Sequence, residues 1–347
     1  MKDKPILMSE KTFMQRALEL ALLGKGSVAP NPMVGCVVVH DGKIIGEGFH
    51  QKYGNAHAEV NAINSVEDQL LLKQSTVFVT LEPCAHFGKT PPCSDLLIDK
   101  GVKRVVIACR DPFKMVDGKG IEKLKTAGIE VSLGLLEKEA IHLNRRFFTY
   151  HTLDRPYVIL KWAETFDGFV AKSNYDSKWI SSAYSRQIVH KWRSEEDAIL
   201  VGKNTAIHDN PSLTVRDWKG SNPTRILLDS DLEVPESHKL FDGNVKTIVM
   251  NKVKDEEKGH VLWMKLDSLD PSSILNVLYQ QRIQSVIVEG GSKTLNSFIR
   301  ENCWDEARIF KSESRFESGI SAPVLRGKLL DQSHFKNDEL LIYQNNG

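Results

Sequence analysis

Three side chains with an affinity for soft metals, His57, Cys84 and Cys93, stand between Ala56 and Cys93, and any fold of this chain has to bring them to one point. One imidazole and two thiolates make three tetrahedral zinc ligands and leave the fourth position for a water, the arrangement that separates catalytic zinc sites from closed structural ones. Zinc lowers the pKa of such a water to about 7, so a nucleophile exists at neutral pH. Something must then carry the proton. Glu59, two residues beyond His57 and not itself a ligand, is placed to take it from the water and pass it to a leaving amine.

The order His-x-Glu, then Pro-Cys, then a second Cys is the pattern of zinc deaminases that act on nucleobases. Here Ala85 to Pro92 separate the cysteines, eight residues where that pattern has two. A tight knuckle is excluded, and the spacer becomes a loop able to line a pocket with His86, Lys89 and Thr90. Taken singly, a His-x-Glu is mostly chance and a cysteine pair mostly buried thiols. Taken together, at what read as two helix starts, they point to a catalytic metal.

At 347 residues the chain exceeds the size at which a single core stops growing, so two domains are expected. A net charge of +1 shows no excess of basic residues of the kind long nucleic acids require, although a local patch stays open. No membrane partner is expected either, since no run approaches the length of a spanning segment. The first ten residues lack the apolar core of a signal peptide. The expected place is the cytoplasm, where the five cysteines stay reduced and free to bind metal.

Apolar spacing at Phe13, Ala17, Leu20 and Ala21 predicts a packing helix over Thr12 to Leu23. Pro30-Asn31-Pro32 follows. Asn31, held between prolines, is either a reader of a base edge or a turn former. Val34 to Val39 predicts a buried strand containing Cys36 as a core thiol, and Asp41-Gly42 a hairpin turn into Lys43 to Phe49. His57 and Glu59 share the first turn of a helix whose Val60 and Ile63 face inward. Thr76 to Leu81 is a strand with Cys84 just past its end. Cys93 opens a helix stopped by Gly101, where the dipole favours the thiolate. A strand over Val102 to Ala108, a helix over Gly120 to Ala127, a strand over Ile129 to Leu133 and a helix over Glu137 to Tyr150 complete an α/β sandwich. Leu153-Asp154-Arg155-Pro156 reads as a linker. All six tryptophans lie beyond it and four of the five cysteines before it, so the boundary is placed near residue 150, with domains over 1–150 and 151–347.

Beyond the linker come strands at Tyr157 to Ala163, Ala198 to Gly202, Arg225 to Leu228, Lys246 to Met250 and Ser285 to Val288, with a helix from Ser182 to Arg193. The last strand runs into Glu289-Gly290-Gly291-Ser292-Lys293-Thr294. Such a glycine-rich strand-to-helix turn suits a dinucleotide pyrophosphate, or is simply a helix cap.

The zinc stretch with its eight-residue spacer and Pro30-Asn31-Pro32 resembles the bifunctional deaminase/reductase family of riboflavin biosynthesis. Asp209-Asn210-Pro211-Ser212-Leu213-Thr214-Val215-Arg216 and Val288-Glu289-Gly290-Gly291 resemble its reductase half. The resemblance covers nearly the whole chain. It implies an α/β protein, a cytidine-deaminase-like α/β/α sandwich followed by a dihydrofolate-reductase-like α/β domain. It implies a two-step enzyme: deamination of 2,5-diamino-6-ribosylamino-4(3H)-pyrimidinone 5′-phosphate, then reduction of the ribosyl group to a ribityl chain with NADPH. It places zinc on His57, Cys84 and Cys93, with Glu59 as proton shuttle. NADP contacts fall to Ala163, Trp179, Thr205, Asp209, Ser230 and the turn from Gly291, and substrate contacts to Ser177, Arg193, Leu213, Arg216 and Glu289. Arg193 and Arg216 can fork onto the 5′-phosphate and Trp179 can face a ring, or the arginines are surface ion pairs and the tryptophan core. Lys161 is assigned to the ribose or its ring opening. A small-molecule substrate and a homo-oligomer are expected as partners.

The chain departs from the family pattern at Glu164-Thr165-Phe166-Asp167-Gly168 and over 303 to 323, where members carry an apolar strand ending in Ala-Pro. Two other classes stay in view: a zinc deaminase of another base, free or in RNA, whose second half only binds substrate, and a non-catalytic module in which zinc holds the fold.

Overall fold

The computed structural model describes residues 9–346 apart from positions 86, 88–90, 114, 115, 178 and 179. Of the residues singled out above, His86, Lys89, Thr90 and Trp179 therefore lie outside the described residues. The chain divides into two compact units, Met1–Leu153 and Asp154–Gly347.

The first unit opens with α1 (Glu10–Leu22), whose start is capped by the Ser9 side chain accepting the Thr12 N–H. Strands β1 (Gly35–His40) and β2 (Lys43–Phe49) form a hairpin. Asp41 and Gly42 both take positive φ, 46° and 71°, as the two-residue turn demands. Then follow α2 (Ala58–Asn64), β3 (Thr76–Leu81), α3 (Cys93–Asp99), β4 (Arg104–Cys109), α4 (Lys119–Thr126), β5 (Glu130–Leu133), α5 (Glu137–Leu143) and α6 (Arg145–Leu153). The sheet order is β2-β1-β3-β4-β5, with β3, β4 and β5 parallel. Strand alternation sends Cys36 and Val38 into a core shared with α2, α3 and α4, and Val37 and Val39 into a second core shared with α1, α5 and α6. The result is a three-layered α/β/α sandwich. Helix α2 lies directly on β2 because Gly48 has no side chain: a Cβ there would stand 2.3 Å from the Ala62 nitrogen and 2.6 Å from the Ala58 carbonyl oxygen.

Two details differ from the sequence pattern. Val60 is only half-buried, and the inward face of α2 is formed by Ala58, Glu59, Ala62 and Ile63. The single helix expected over Glu137 to Tyr150 is two, α5 and α6, which part at Asn144. The buried Asn144 amide turns to Met33, accepting its N–H and donating to its carbonyl, each at 2.8 Å. An Asn side chain that bonds backbone elsewhere competes with helix continuation.

The second unit runs β6 (Tyr157–Glu164), β7 (Phe169–Ala171), α7 (Ala183–Glu195), β8 (Ala198–Gly202), α8 (Lys203–Asp209), β9 (Thr224–Leu228), β10 (Thr247–Asn251), β11 (Glu256–Lys258), β12 (Val261–Lys265), α9 (Pro271–Gln280), β13 (Ser285–Glu289), α10 (Ser292–Arg300), β14 (Glu306–Ser312), β15 (Ile320–Ser321), β16 (Lys328–Phe335) and β17 (Asp338–Gln344). Ten strands form one sheet, β11-β12-β10-β9-β8-β13-β6-β14-β17-β16, parallel from β12 to β14. Helices α9 and α10 cover one face, while α7 and α8 cover the other. The stretch that departs from the family pattern still makes a strand, β14, paired in parallel with β6. Among the described residues no helix is long and apolar enough to cross a membrane.

Candidate active sites

In the first unit, His57 is the residue that caps α2, Cys84 follows β3, and Cys93 opens α3. His57 Nδ1 lies 3.6 Å from Cys84 Sγ and 3.3 Å from Cys93 Sγ. All three donor atoms fall within 4.8 Å of one another. Tetrahedral zinc, with bonds of about 2.0 Å to nitrogen and about 2.3 Å to sulfur, sets nitrogen and sulfur about 3.6 Å apart, so the cluster fits that ion.

The helix start serves the other thiol than the sequence suggests. The Cys93 N–H is donated to Cys84 Sγ at 3.3 Å, so the first turn of α3 stabilises a thiolate on Cys84. Hydrogen bonding from Cys93 and from His57 draws the Cys84 thiol well below its usual range, and the resulting charge pushes Cys93 up. A cation between the sulfurs removes that conflict.

Glu59 stands on the first turn of α2, 3% exposed. Burial, then the Cys84 charge, pushes its carboxyl up to about 7. A cation on the neighbouring sulfurs would pull it back toward ionisation. It is thus a carboxylate that can hold or release a proton near neutrality.

Three further polar groups surround the cluster, and sequence spacing carries no sign of them. Glu82, one residue before Pro83-Cys84, accepts backbone N–H groups of Gly118, Gly120, Ile121 and Asp111 at 2.9 to 3.3 Å. It ties the end of β3 to the loop after β4. On that loop Asp111 is pushed up to about 7, first by burial and then by the Glu82 and Cys84 charges, the Phe113 N–H opposing. His50, at the end of β2, is buried, which lowers its pKa. Its Nδ1 faces the Ala56 carbonyl at 3.0 Å, its Nε2 faces Asn31 Nδ2 at 3.1 Å, and its ring meets that of His57 edge-on at 5.5 Å.

In the second unit a cleft of about 1040 Å³ opens at the carboxyl ends of β6, β8, β9, β10 and β13. Ligands of open parallel sheets bind at that edge. All the expected reductase residues that are described line it: Ala163, Ser177, Arg193, Thr205, Asp209, Leu213, Arg216, Ser230, Glu289 and Gly291, with Lys161 beside them. Gly291 caps α10. One N–H of this turn is not free for a phosphate, since Gly291 donates to Thr205 Oγ1 at 2.9 Å.

Arg193 differs from the expected phosphate fork. Its Nε and Nη2 are bound to the two oxygens of Glu289, and its Nη1 donates to the Thr214 carbonyl. Lys161 Nζ lies 3.7 Å from the same carboxylate. Burial lowers the Lys161 pKa while Glu289 opposes the shift. Arg216 is exposed and uses its Nη1 on Ser212 and Thr214, which leaves the rest of the guanidinium for a ligand. Its backbone N–H reaches His190 Nδ1 at 3.3 Å, and His190 is a lining residue for which no motif or spacing argued. Ser177 Oγ donates to Asp209, and Tyr175 stacks on His208 with ring centroids 4.1 Å apart.

Comparison with known proteins places both halves. Residues 156–312 match the family model of the RibD C-terminal domain, and residues 8–109 that of the cytidine and deoxycytidylate deaminase zinc-binding region. The riboflavin biosynthesis protein RibD of Aquifex aeolicus is 45% identical over 332 residues, 93% of this chain and 92% of that protein. The chain belongs to the RibD family. RibD of Escherichia coli is 35% identical, with 96% of each chain covered. Among solved RibD-like structures, the Thermotoga maritima diaminohydroxyphosphoribosylaminopyrimidine deaminase/5-amino-6-(5-phosphoribosylamino)uracil reductase is 41% identical. It superimposes with a TM-score of 0.89 over 96% of this chain and 98% of that one. RibD of Acinetobacter baumannii, at 35% identity, also gives 0.89, over 97% and 99%. The zinc-binding match spans His57, Cys84 and Cys93, and the RibD C-terminal match spans every cleft residue named above.

Proposed function

We propose that this RibD-family chain carries out two consecutive steps of riboflavin biosynthesis, with residues 1–150 removing an amino group and residues 151–347 reducing a sugar. The substrate of the first step is 2,5-diamino-6-ribosylamino-4(3H)-pyrimidinone 5′-phosphate. Its product is reduced to 5-amino-6-ribitylamino-uracil 5′-phosphate. The observation that carries the proposal is the pairing of a zinc-spaced His57, Cys84 and Cys93 cluster in one unit with a cleft in the other that gathers the expected reductase residues.

In the deaminase, His57, Cys84 and Cys93 hold zinc, which when bound supplies the Lewis acidity that makes a water acidic near neutral pH. Glu59 is the residue that would hold the proton given up by the attacking water and hand it to the 2-amino nitrogen, so that C2–O forms as C2–N breaks and the amine leaves as ammonia. Burial of Glu59 keeps the proton from being lost to bulk solvent. Asn31 faces the base.

In the reductase, Thr205, Asp209, Ser230, Ala163 and the Gly291 turn hold NADPH, which supplies the reducing equivalent for the ribose. The turn into α10, capped by Gly291, is the place for its pyrophosphate, since the first N–H groups of a helix have no partner within it. Arg216 takes the 5′-phosphate of the substrate. Glu289, kept ionised by Arg193 and Lys161, faces the ribose, where Lys161 assists ring opening. Ser177 and Leu213 complete the substrate side.

Free thiols at all five cysteines suit a reducing cytoplasm. The edge strand β16 is exposed along most of its length, and exposed edges favour pairing between chains, so a homo-oligomer is part of the proposal. The test follows ammonia release and NADPH absorbance together on the diaminopyrimidinone substrate, with and without a zinc chelator. Ammonia first, NADPH loss second, and both stopped by the chelator is the expected result. Ammonia without any NADPH loss would leave the second unit as a binding domain, and fast NADPH loss on the undeaminated substrate would reverse the order of steps.

A further inference from the structure

Segment 30–33 is held beside the zinc cluster by two side chains from elsewhere in the first unit. Asn144 fixes its backbone by gripping both polar groups of Met33 at 2.8 Å. His50 meets its side chain, with Nε2 at 3.1 Å from Asn31 Nδ2. Nothing in the family resemblance gave His50 a role.

The His50 ring reads only one way. A carbonyl oxygen can only accept, so the Nδ1 atom 3.0 Å from the Ala56 carbonyl carries the proton. Asn31 Nδ2, which can only donate, faces Nε2 at 3.1 Å, so Nε2 is the acceptor of the ring. Asn31 thus turns its NH₂ group toward His50. That leaves Oδ1 and the second N–H, side by side, with no partner among the described residues.

Resting on the deaminase proposal above, we infer that His50 is a positioning residue: through its Nε2 it fixes the polarity of the amide that Asn31 offers to the pyrimidinone ring. A lactam edge presents a ring N–H next to a C=O, which an acceptor beside a donor complements. Were the Asn31 amide reversed, donor would meet donor and acceptor would meet acceptor. The selection of a 4-oxo pyrimidine carrying a ring N–H is thus set through Asn31 by the tautomer of His50, which is not one of the three groups of the metal cluster.

Two isosteres separate this role from a structural one. Gln at position 50 keeps an acceptor where Nε2 stood and loses the donor to Ala56. Asn keeps the donor to Ala56 and loses the acceptor. The experiment measures zinc per chain and kcat/KM for ammonia release in His50→Gln, His50→Asn, Asn31→Ala and the Asn31→Ala/His50→Asn double variant. The inference expects full zinc in all four. It expects His50→Asn to lose roughly ten- to hundredfold, the scale of one misdirected buried hydrogen bond, with His50→Gln retaining several times more. In the Asn31→Ala background the second change should cost nothing further, because the two residues act as one unit. Equal activity in His50→Gln and His50→Asn, the reverse order, loss of zinc in either, or multiplicative losses in the double variant would each overturn it. Ammonia release absent from the unmodified protein is a different result and overturns the deaminase proposal itself.

Discussion

Arg193 and Glu289 meet at two points, Nε on Oε1 at 3.1 Å and Nη2 on Oε2 at 2.9 Å, from α7 and the end of β13. Both side chains are 11% exposed. The pair is therefore part of the wall of the reductase cleft, and removing Arg193 leaves the buried Glu289 carboxylate with Lys161 alone, without its two hydrogen bonds from Arg193. Arg193→Met should lower the unfolding free energy of the second unit by about 3 kcal/mol, read from a denaturant midpoint.

The same pair predicts an acid limit. Burial pushes the Glu289 carboxyl up, and the charges of Arg193 and Lys161 more than reverse this, taking it from 4.5 down to about 2. A folded pKa below the unfolded one stabilises above the unfolded value, and the contribution is lost as pH falls through the folded value. Between pH 4.5 and 2 the native protein should lose stability faster than Glu289→Gln. Parallel slopes for the two would show that Glu289 is not held ionised by its neighbours.

Because Glu289 occupies Arg193, the proposed contact with the 5′-phosphate falls to Arg216. Arg216→Gln should raise KM for the phosphorylated, deaminated substrate by roughly ten- to hundredfold, the scale of a charge-assisted contact. With the corresponding nucleoside, which lacks the phosphate, the variant and the native protein should share one KM. An equal rise for both substrates would mean that Arg216 only supports the loop after α8.

Why the sequence disclosed some of this and hid the rest is a matter of range. The cluster of His57, Cys84 and Cys93 was legible because metal ligation restricts residue type, and their neighbours mark strand ends and helix starts locally. The hairpin at Asp41-Gly42 was legible because backbone sterics act within two residues. Asn144, by contrast, breaks a helix in order to reach Met33, 111 positions away, and no local signal encodes that. Arg193 looked free for phosphate because its partner, 96 positions on, is joined to it only by the sheet. Strand β16 was missed because it is exposed over most of its length and carries no alternation of apolar residues.

Gly48 links the sandwich to its chemistry. A side chain there would meet α2 backbone at 2.3 Å, and α2 carries Glu59 on its first turn and His57 at its cap. Backbone cannot yield as a flexible side chain would, so Gly48→Val should cost about 1 to 3 kcal/mol and displace the ligand cluster. Zinc content and stability should fall together. Full zinc occupancy at reduced stability would show that the helix shifts as a body without disturbing His57.

Glu59 is the sharpest separation of metal from proton transfer. It lies beside the cluster without being one of the three groups that define it. Glu59→Gln preserves shape and should preserve zinc, while kcat for ammonia release falls by roughly 10² to 10⁴, the usual worth of a positioned acid/base. The same variant, given the already deaminated substrate, should consume NADPH at the native rate, since the cleft residues all belong to the second unit. A chelator should act in parallel: no ammonia from the diamino substrate, and unimpaired reduction of the deaminated one. Loss of zinc in Glu59→Gln would make the carboxylate a fold or ligand element, and unchanged ammonia release at full zinc would remove it from proton transfer altogether.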